Sequence, residues 1–305
     1  MKRDTIAIVG AGIVGSATAY ALMLRNIPAD IILVDSNDIR CKGEVEDLAD
    51  VLPLSSAHSI TVGSLQMAAN ADILIITAGI AQGCGQSRLD LLHTNACTMQ
   101  DIFKVLKPLL NPNIIIIVVT NPVDILTRLV QELSELPTRQ IFGAGTFLDT
   151  ERLRMLISNE LVIAPESIDL CVIGEHGDSQ VVAWSCAMIA EVPLLQFPGL
   201  TKNQLDAMAQ KTKEKAYDVI ACKGSTSFGV AACIALYCQT IITDTKQIIP
   251  VSCFNPLYGI YMSMPAVLGA AGVEQVISLS LSNDERVALE SSVQLLKEQY
   301  LSLMK

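Results

Sequence analysis

Ile6-Ala7-Ile8-Val9-Gly10-Ala11-Gly12-Ile13-Val14-Gly15 decides how the chain is read. A short apolar run enters three glycines spaced G-x-G-x-x-G, and a segment of helical period, Val14–Arg25, follows at once. Glycines at this spacing permit a tight turn, close backbone approach to a pyrophosphate and close packing of helix on strand. The anion then lies on the free N–H groups of the helix start. A second β-branched run, Ile31–Val34, delivers Asp35 20 residues past Gly15. A carboxylate there accepts hydrogen bonds from an adenosine ribose and repels a 2′-phosphate, which favours NAD over NADP. The glycine pattern alone also occurs in other nucleotide folds and in plain turns. Strand, glycines, helix, strand and acid in register are what specify a dinucleotide site.

The same alternation continues outward. Ile6–Val9, Ile31–Val34, Ser59–Val62, Ile73–Ile76, Ile114–Val119 and Gln140–Phe142 read as strands. Val14–Arg25, Glu44–Leu52, Ser87–Leu106 and Asp124–Glu135 read as the helices between them. Runs that are apolar without alternation are strands covered on both faces, and strand–helix–strand repetition predicts a parallel, doubly wound α/β sheet. Beyond residue 145 the rhythm changes. A helix at Thr150–Leu161, a strand at Ile168–Ile173, a less regular mixture and a last helix at Asn283–Leu303 read as an α+β unit. The expected division is a Rossmann domain over residues 1–143 and a substrate domain over 144–305. No Ser/Gly-rich linker separates them, so the junction at Gly143–Gly145 should be tightly packed.

The 305 residues are 51% apolar and 17% charged, enough for a large core, which excludes disorder and fibrous repeats. Lys plus Arg is 21 and Asp plus Glu is 31, giving −10, which speaks against nucleic acid or an anionic membrane as partner. Nine scattered cysteines without C-x-x-C spacing leave no thiol metal site to read and fit free thiols in a reducing cytoplasm. Lys2 and Arg3 before the uncharged stretch 5–24 imitate a signal peptide. The interrupting glycines are better explained as a phosphate loop, so the segment is expected in the mature fold.

Of three histidines, His58 and His93 read as surface residues, whereas His176 stands in Ile173-Gly174-Glu175-His176-Gly177-Asp178, just past an apolar strand. Asp149 and Arg152, three apart at a helix start, share a face. They are either an ordinary ion pair or an imidazole-orienting acid beside a carboxylate clamp. Asn121 ends the longest β-run, where a turn-forming Asn before Pro is the plain reading. Arg88 follows the glycine-rich Gln82-Gly83-Cys84-Gly85-Gln86-Ser87, as a solvated helix-start residue or as part of a lid.

These stretches together resemble the NAD-dependent L-lactate/malate dehydrogenase family over essentially the whole chain, its lactate-specific branch most closely. The matching segments are GAGIVG (10–15), ILVDSN (32–37), ITAGIAQ (76–82), SRLDLLHTN (87–95), VVTNPVD (118–124), GAGTFLDTERLR (143–154), IGEHGDS (173–179), KGSTSFGVA (223–231) and SLSNDERVALESSVQLLK (280–297). The resemblance implies a catalytic set of His176 as proton donor and acceptor, Asp149 as its orienting partner and Arg88 polarising the substrate carbonyl. It implies substrate contacts from Gln82, Arg88, Asn121, Arg152 and Thr226. Cofactor contacts follow at Gly10, Gly12, Ile13, Val14, Gly15, Asp35, Thr77, Ala78, Gly79 and Asn121, with no metal. It further implies a fermentative or glycolytic role in the cytoplasm and a homo-oligomer, a tetramer being favoured. The helix at Glu44–Leu52 is one candidate interface, a core-facing helix being the alternative.

Malate-specific members of that family carry arginine where this chain has Gln82. A neutral Gln leaves a second carboxylate uncompensated, so a small 2-keto monocarboxylic acid such as pyruvate is the expected substrate. Malate dehydrogenase, a broader 2-hydroxy-acid dehydrogenase, and a nucleotide-binding protein without catalysis are the rival readings. The family's usual Lys-Pro-Gly-Glu-Thr is replaced at 83–87 by Gly-Cys-Gly-Gln-Ser, which makes closing the loop cost more entropy and offers Cys84 to alkylation. In members activated by fructose 1,6-bisphosphate a histidine falls where this chain has Asp169, beside Arg154. A carboxylate at a phosphate site makes such activation unexpected.

Overall fold

The computed structural model describes residues 4–80 and 88–303, with the backbone alone for 88–90. Gln82 and Cys84, like the rest of 81–87, lie outside the described residues, as does the side chain of Arg88.

The first half forms strands β1 (Asp4–Val9), β2 (Ala29–Val34), β3 (Ser59–Val62), β4 (Ile73–Ile76), β5 (Ile115–Val118) and β6 (Ile141–Gly143), all paired in parallel. Helices α1 (Ile13–Leu24), α2 (Asp38–Ala49), α3 (Leu65–Ala68), α4 (Arg88–Leu106) and α5 (Val123–Ser134) connect them. Strand order β6-β5-β4-β1-β2-β3 is the doubly wound arrangement. The order in which strands are added reverses at β1, so the connections from β1 and β4 leave on opposite sides and a crevice opens at their carboxyl ends. All four residues of β4 and of β5 are buried, as their unbroken apolar runs require. Helix α2 begins six residues earlier than periodicity suggests, because the Asn37 side chain caps it by accepting the Arg40 N–H at 3.0 Å. Its apolar side, Val45 and Leu48, is buried in the protein's own core, as the core-facing reading of that helix expects.

The second half holds α6 (Phe147–Leu161), β7 (Ile168–Asp169), β8 (Val172–Ile173), β9 (Val181–Val182), β10 (Met188–Ile189), β11 (Val192–Pro193), α7 (Lys202–Lys223), α8 (Phe228–Ile242), β12 (Gln247–Asn255), β13 (Ile260–Gly269), β14 (Gly272–Val276) and α9 (Asn283–Leu303). The single strand expected at Ile168–Ile173 is two. β7 pairs with β10, and β8 pairs with β9 in a separate sheet. Val172 is held to the start of helix α6: Thr150 Oγ1 accepts its N–H at 3.0 Å, and Oγ1 of Thr146, just before the helix, donates to its carbonyl at 2.5 Å.

The two halves share one sheet. Antiparallel strands β12, β13 and β14 add to β6 through Ser252 opposite Gly143, giving nine strands in all. At this seam a Cβ on Gly143 would lie 2.5 Å from Thr127 Oγ1 and 3.0 Å from Ser252 Cβ. Buried Tyr237 of α8 donates its hydroxyl to the Ala144 carbonyl at 2.9 Å and packs edge-on to Phe142. A second, smaller core gathers Leu153, Ile157, Ile168, Trp184 and Leu205 under α6 and α7.

Gly10 has φ +113°, and a Cβ there would meet the Ala78 amide nitrogen at 2.6 Å; one on Gly15 would sit 1.8 Å from the Gly10 carbonyl oxygen. The start of α1 is thereby locked to β1 and to the residues after β4. Replacing Gly15 with Ala should destabilise the fold by about 1–3 kcal/mol through overpacking. Thermal denaturation is expected to show a lower Tm, and an unchanged Tm would contradict this packing.

Candidate active site

Every strand of the parallel set ends on the same side, and the crevice residues are fastened there by hydrogen bonds. Thr77 Oγ1 donates to the Gly10 carbonyl at 2.8 Å, and Thr120 Oγ1 donates to that of Ala78 at 2.7 Å. Fully buried Asn95 of α4 accepts the Ile80 N–H at 2.9 Å and donates to the Asn121 carbonyl at 2.8 Å. One amide thus ties the segment after β4 to the segment after β5. Asn95 lies inside a motif quoted from the sequence, but a polar residue on a helix gives no sign of burial by itself.

Helix α1 starts after Gly12 with no capping side chain and no acid in its first turn, so its positive end is left for an anion. Unlike its two neighbours, Gly12 faces open space: a Cβ there would meet nothing within 4 Å. Asp35, immediately after β2, accepts the Ala11 N–H at 2.7 Å and the Asn37 N–H at 2.9 Å. This loop fits a dinucleotide, with room above Gly12 for the pyrophosphate and a carboxylate at the ribose end.

Beside it lies a cavity of about 410 Å³, lined by Asn121 after β5, Asp149 and Arg152 of α6, His176 after β8, Thr226 before α8, and an apolar wall that includes Ile220 and Val230. The chain enters it through Gly174, whose φ is +88° and whose backbone forms a bridge with Ser263 of β13. Ser292 of α9 accepts the Glu175 N–H at 2.9 Å, and Glu175 in turn accepts both the N–H and hydroxyl of Ser179. The His176 N–H donates to Asp124 at 2.8 Å.

From that braced turn the His176 ring meets Asp149, Nδ1 to Oδ2 at 2.8 Å. The other oxygen of the same carboxylate accepts from Arg152 Nη1 at 3.1 Å. The ion pair between Asp149 and Arg152 and the link from Asp149 to His176 therefore coexist, and the two sequence readings of this pair do not compete. Asp149 is buried, whereas the His176 and Arg152 side chains keep 27% and 18% of their surface open. Nε2 of His176 and the rest of the Arg152 fork have no partner among the described residues, which leaves donors for a ligand. Burial opposes charge on the imidazole, but the attraction and hydrogen bond of Asp149 outweigh it, and the His176 pKa is raised above 6.5. His58 and His93 are exposed and do not line the cavity.

Sequence reasoning missed Lys213 of α7, which lines the cavity and donates to the Asp178 carbonyl at 3.2 Å. It missed Asp124 and Ser252 too. Among the described residues no group of His, Cys, Asp and Glu could hold a metal, eight cysteines are free, and no helix is long and apolar enough to cross a membrane.

Residues 4–143 match the lactate/malate dehydrogenase NAD-binding domain, and residues 146–303 match the α/β C-terminal domain of the same enzymes. The chain belongs to the lactate/malate dehydrogenase family. It is an NAD-dependent 2-hydroxy-acid dehydrogenase. It is 43% identical to L-lactate dehydrogenase A of Rhizopus oryzae, an alignment covering 97% of this chain and 92% of the relative. It is 37% identical to the L-lactate dehydrogenase of Thermus aquaticus over 96% of this chain and 97% of that one. The minor L-lactate dehydrogenase of Enterococcus mundtii, solved in a ligand-bound form, superposes with a TM-score of 0.94 at 33% identity, covering 98% of each chain.

Replacing Asp149 with Asn would remove the charge that holds the imidazolium and leave Arg152 uncompensated beside it. NMR titration of the His176 ring should then give a pKa below that of the wild type; an unchanged or higher value would contradict this electrostatic picture.

Proposed function

We propose that the chain is an L-lactate dehydrogenase, reducing pyruvate with NADH to L-lactate and catalysing the reverse. The observation that carries this reading is the Asp149 carboxylate shared by His176 and Arg152 at the wall of a cavity beside a dinucleotide loop. NADH, when bound, supplies the hydride. Arg152 grips the substrate carboxylate with the N–H groups it does not spend on Asp149. Protonated His176, Nδ1 on Asp149, presents Nε2 to the ketone oxygen, stabilises the charge that builds there and gives up its proton. In lactate oxidation the neutral ring takes that proton back. Arg88 has the part the family resemblance implies, adding positive charge at the same oxygen. Asn121 and Thr226 orient substrate and nicotinamide.

Because the His176 pKa is raised, the protonated form persists above the ordinary imidazole range. Pyruvate reduction is accordingly lost only as pH rises through a folded-state value higher than that of a free imidazole, while lactate oxidation gains over the same interval.

Gln82, neutral at the position where malate-specific relatives carry arginine, selects the monoanion. The two halves act as a cofactor domain, 1–143, and a substrate domain, 144–305. The protein works in the cytoplasm in fermentative or glycolytic metabolism, as a homo-oligomer favouring the tetramer. Exposed apolar residues such as Leu24 and Ile39 suit such burial between subunits. With Asp169 exposed on β7, fructose 1,6-bisphosphate finds a carboxylate where an activating site needs a cation.

A broader 2-keto acid range, oxaloacetate included, is the reading to test against this one, since Lys213 brings a second cation to the cavity wall. Initial rates of NADH oxidation should favour pyruvate over oxaloacetate by about two to three orders of magnitude in kcat/KM, because an uncompensated carboxylate costs several kcal/mol. Gln82→Arg should cut that ratio at least about tenfold. Faster reduction of oxaloacetate by the wild type, or a ratio indifferent to Gln82→Arg, would overturn the assignment.

A further inference from the structure

The proton-transfer group of this site is held at its backbone by a second buried carboxylate. Asp124, the second residue of α5, is 3% exposed. Its Oδ2 accepts the backbone N–H of His176 at 2.8 Å, and its Oδ1 accepts the hydroxyl of Ser252 at 2.5 Å. Ser252 is itself fully buried on β12, at the rung where that strand joins β6. One carboxylate therefore links the cofactor-side helix α5, the seam of the shared sheet and the turn that carries His176. Asp149 reaches the same histidine from the opposite direction, through the ring.

We propose that Asp124 is a positioning residue for proton transfer: it fixes the backbone of His176 so that Nδ1 stays on Asp149 while Nε2 faces the substrate, and it places a second negative charge behind the imidazolium. The proposal rests on the acid–base reading of His176. A merely structural acid at this place would be a costly choice, because a buried carboxylate loses its hydration and two donors only partly replace it. Burial pushes the Asp124 carboxyl up to about 6, against the lowering effect of Ser252 and of the His176 N–H, so the group is still largely ionised at neutral pH. The titratable groups that face it are Glu175 and His176 from the turn and Cys253 from β12, and the imidazole is the one that carries positive charge. The location in the first turn of α5 adds the favourable end of a helix dipole.

Two substitutions separate position from charge. Asp124→Ala removes both. Asp124→Asn keeps an oxygen for the His176 N–H, while the Ser252 hydroxyl turns to accept from the new amide; only the charge is lost. With the holoenzyme, Asp124→Ala should lower kcat for pyruvate reduction at least about tenfold. Its KM for pyruvate and its NADH affinity, read by fluorescence quenching, should stay within about twofold of the wild type. Asp124→Asn should recover most of the rate, yet show the alkaline limb of kcat and the NMR titration of the His176 ring at lower pH than the wild type. Wild-type kcat in Asp124→Ala would overturn the proposal. So would loss of rate, NADH affinity and Tm together, the signature of a purely structural role. If Asp124→Ala does not fold, Asp124→Asn decides: a His176 titration at the wild-type pH contradicts the proposal. A wild-type enzyme that reduces no keto acid, while its His176 titration still responds to Asp124→Asn, would count against the acid–base reading of the histidine and not against the contact itself.

Discussion

A single carboxylate, Asp149, accepts from an imidazole on one oxygen and a guanidinium on the other, 2.8 Å and 3.1 Å away. Burying it is costly unless both partners are in place, because a carboxylate that loses water must recover the interaction from fixed donors. That requirement ties remote parts of the chain together. Helix α6 must present residues 149 and 152 on one face, and the turn after β8 must bring His176 across to meet them. The arrangement carries more positive than negative charge toward the cavity once the ring is protonated, which suits an anionic substrate beside a developing oxyanion.

The fold supplies the rigidity this needs by refusing to divide cleanly. Strands β12 to β14 belong to the second half of the chain yet extend the sheet of the first, and Gly143, Ser252 and Tyr237 leave no slack at the join. The His176 turn is gripped from α5 by Asp124, from α9 by Ser292, from β13 by Ser263 and from α6 by Asp149. Four separate elements thus determine the place of one imidazole. Preorganisation of this sort lets a proton donor act without paying for its own reorganisation during the reaction.

Much of this was legible in the amino-acid order, and the reasons for success and failure are physical. β4 is short, β-branched and fully buried and matches its expected bounds; the edge strand β3, with only Ile60 buried, and the long amphipathic α9 match as well. The seam was hidden for the opposite reason. β12 and β13 each carry a proline, Pro250 facing Pro265, in positions that ordinarily argue against an inner strand; the two share one rung, so the disruption is confined to it. The strand expected at Ile168–Ile173 is split because its two ends pair with different strands, Ile168–Asp169 with β10 and Val172–Ile173 with β9, a tertiary effect no local pattern records. At the site, His176, Asp149, Arg152, Asn121 and Thr226 were found by motif, and all five line one cavity. Asn95 and Asp124 escaped notice because they act on backbone groups of other segments, and Ser252 because it acts on the Asp124 side chain, remote in sequence. Such partners cannot be read until the fold has brought them together.

The most direct test of the account is the proton uptake when oxamate, a non-reducible isostere of pyruvate, joins the enzyme–NADH complex. If the anion is held by protonated His176 together with Arg152, no proton should be taken up well below the His176 pKa, and uptake should rise toward one proton per site at alkaline pH. Binding whose proton stoichiometry stays at zero across that range would mean that the imidazole is not coupled to the anion, and the shared carboxylate would lose its place at the centre of the mechanism.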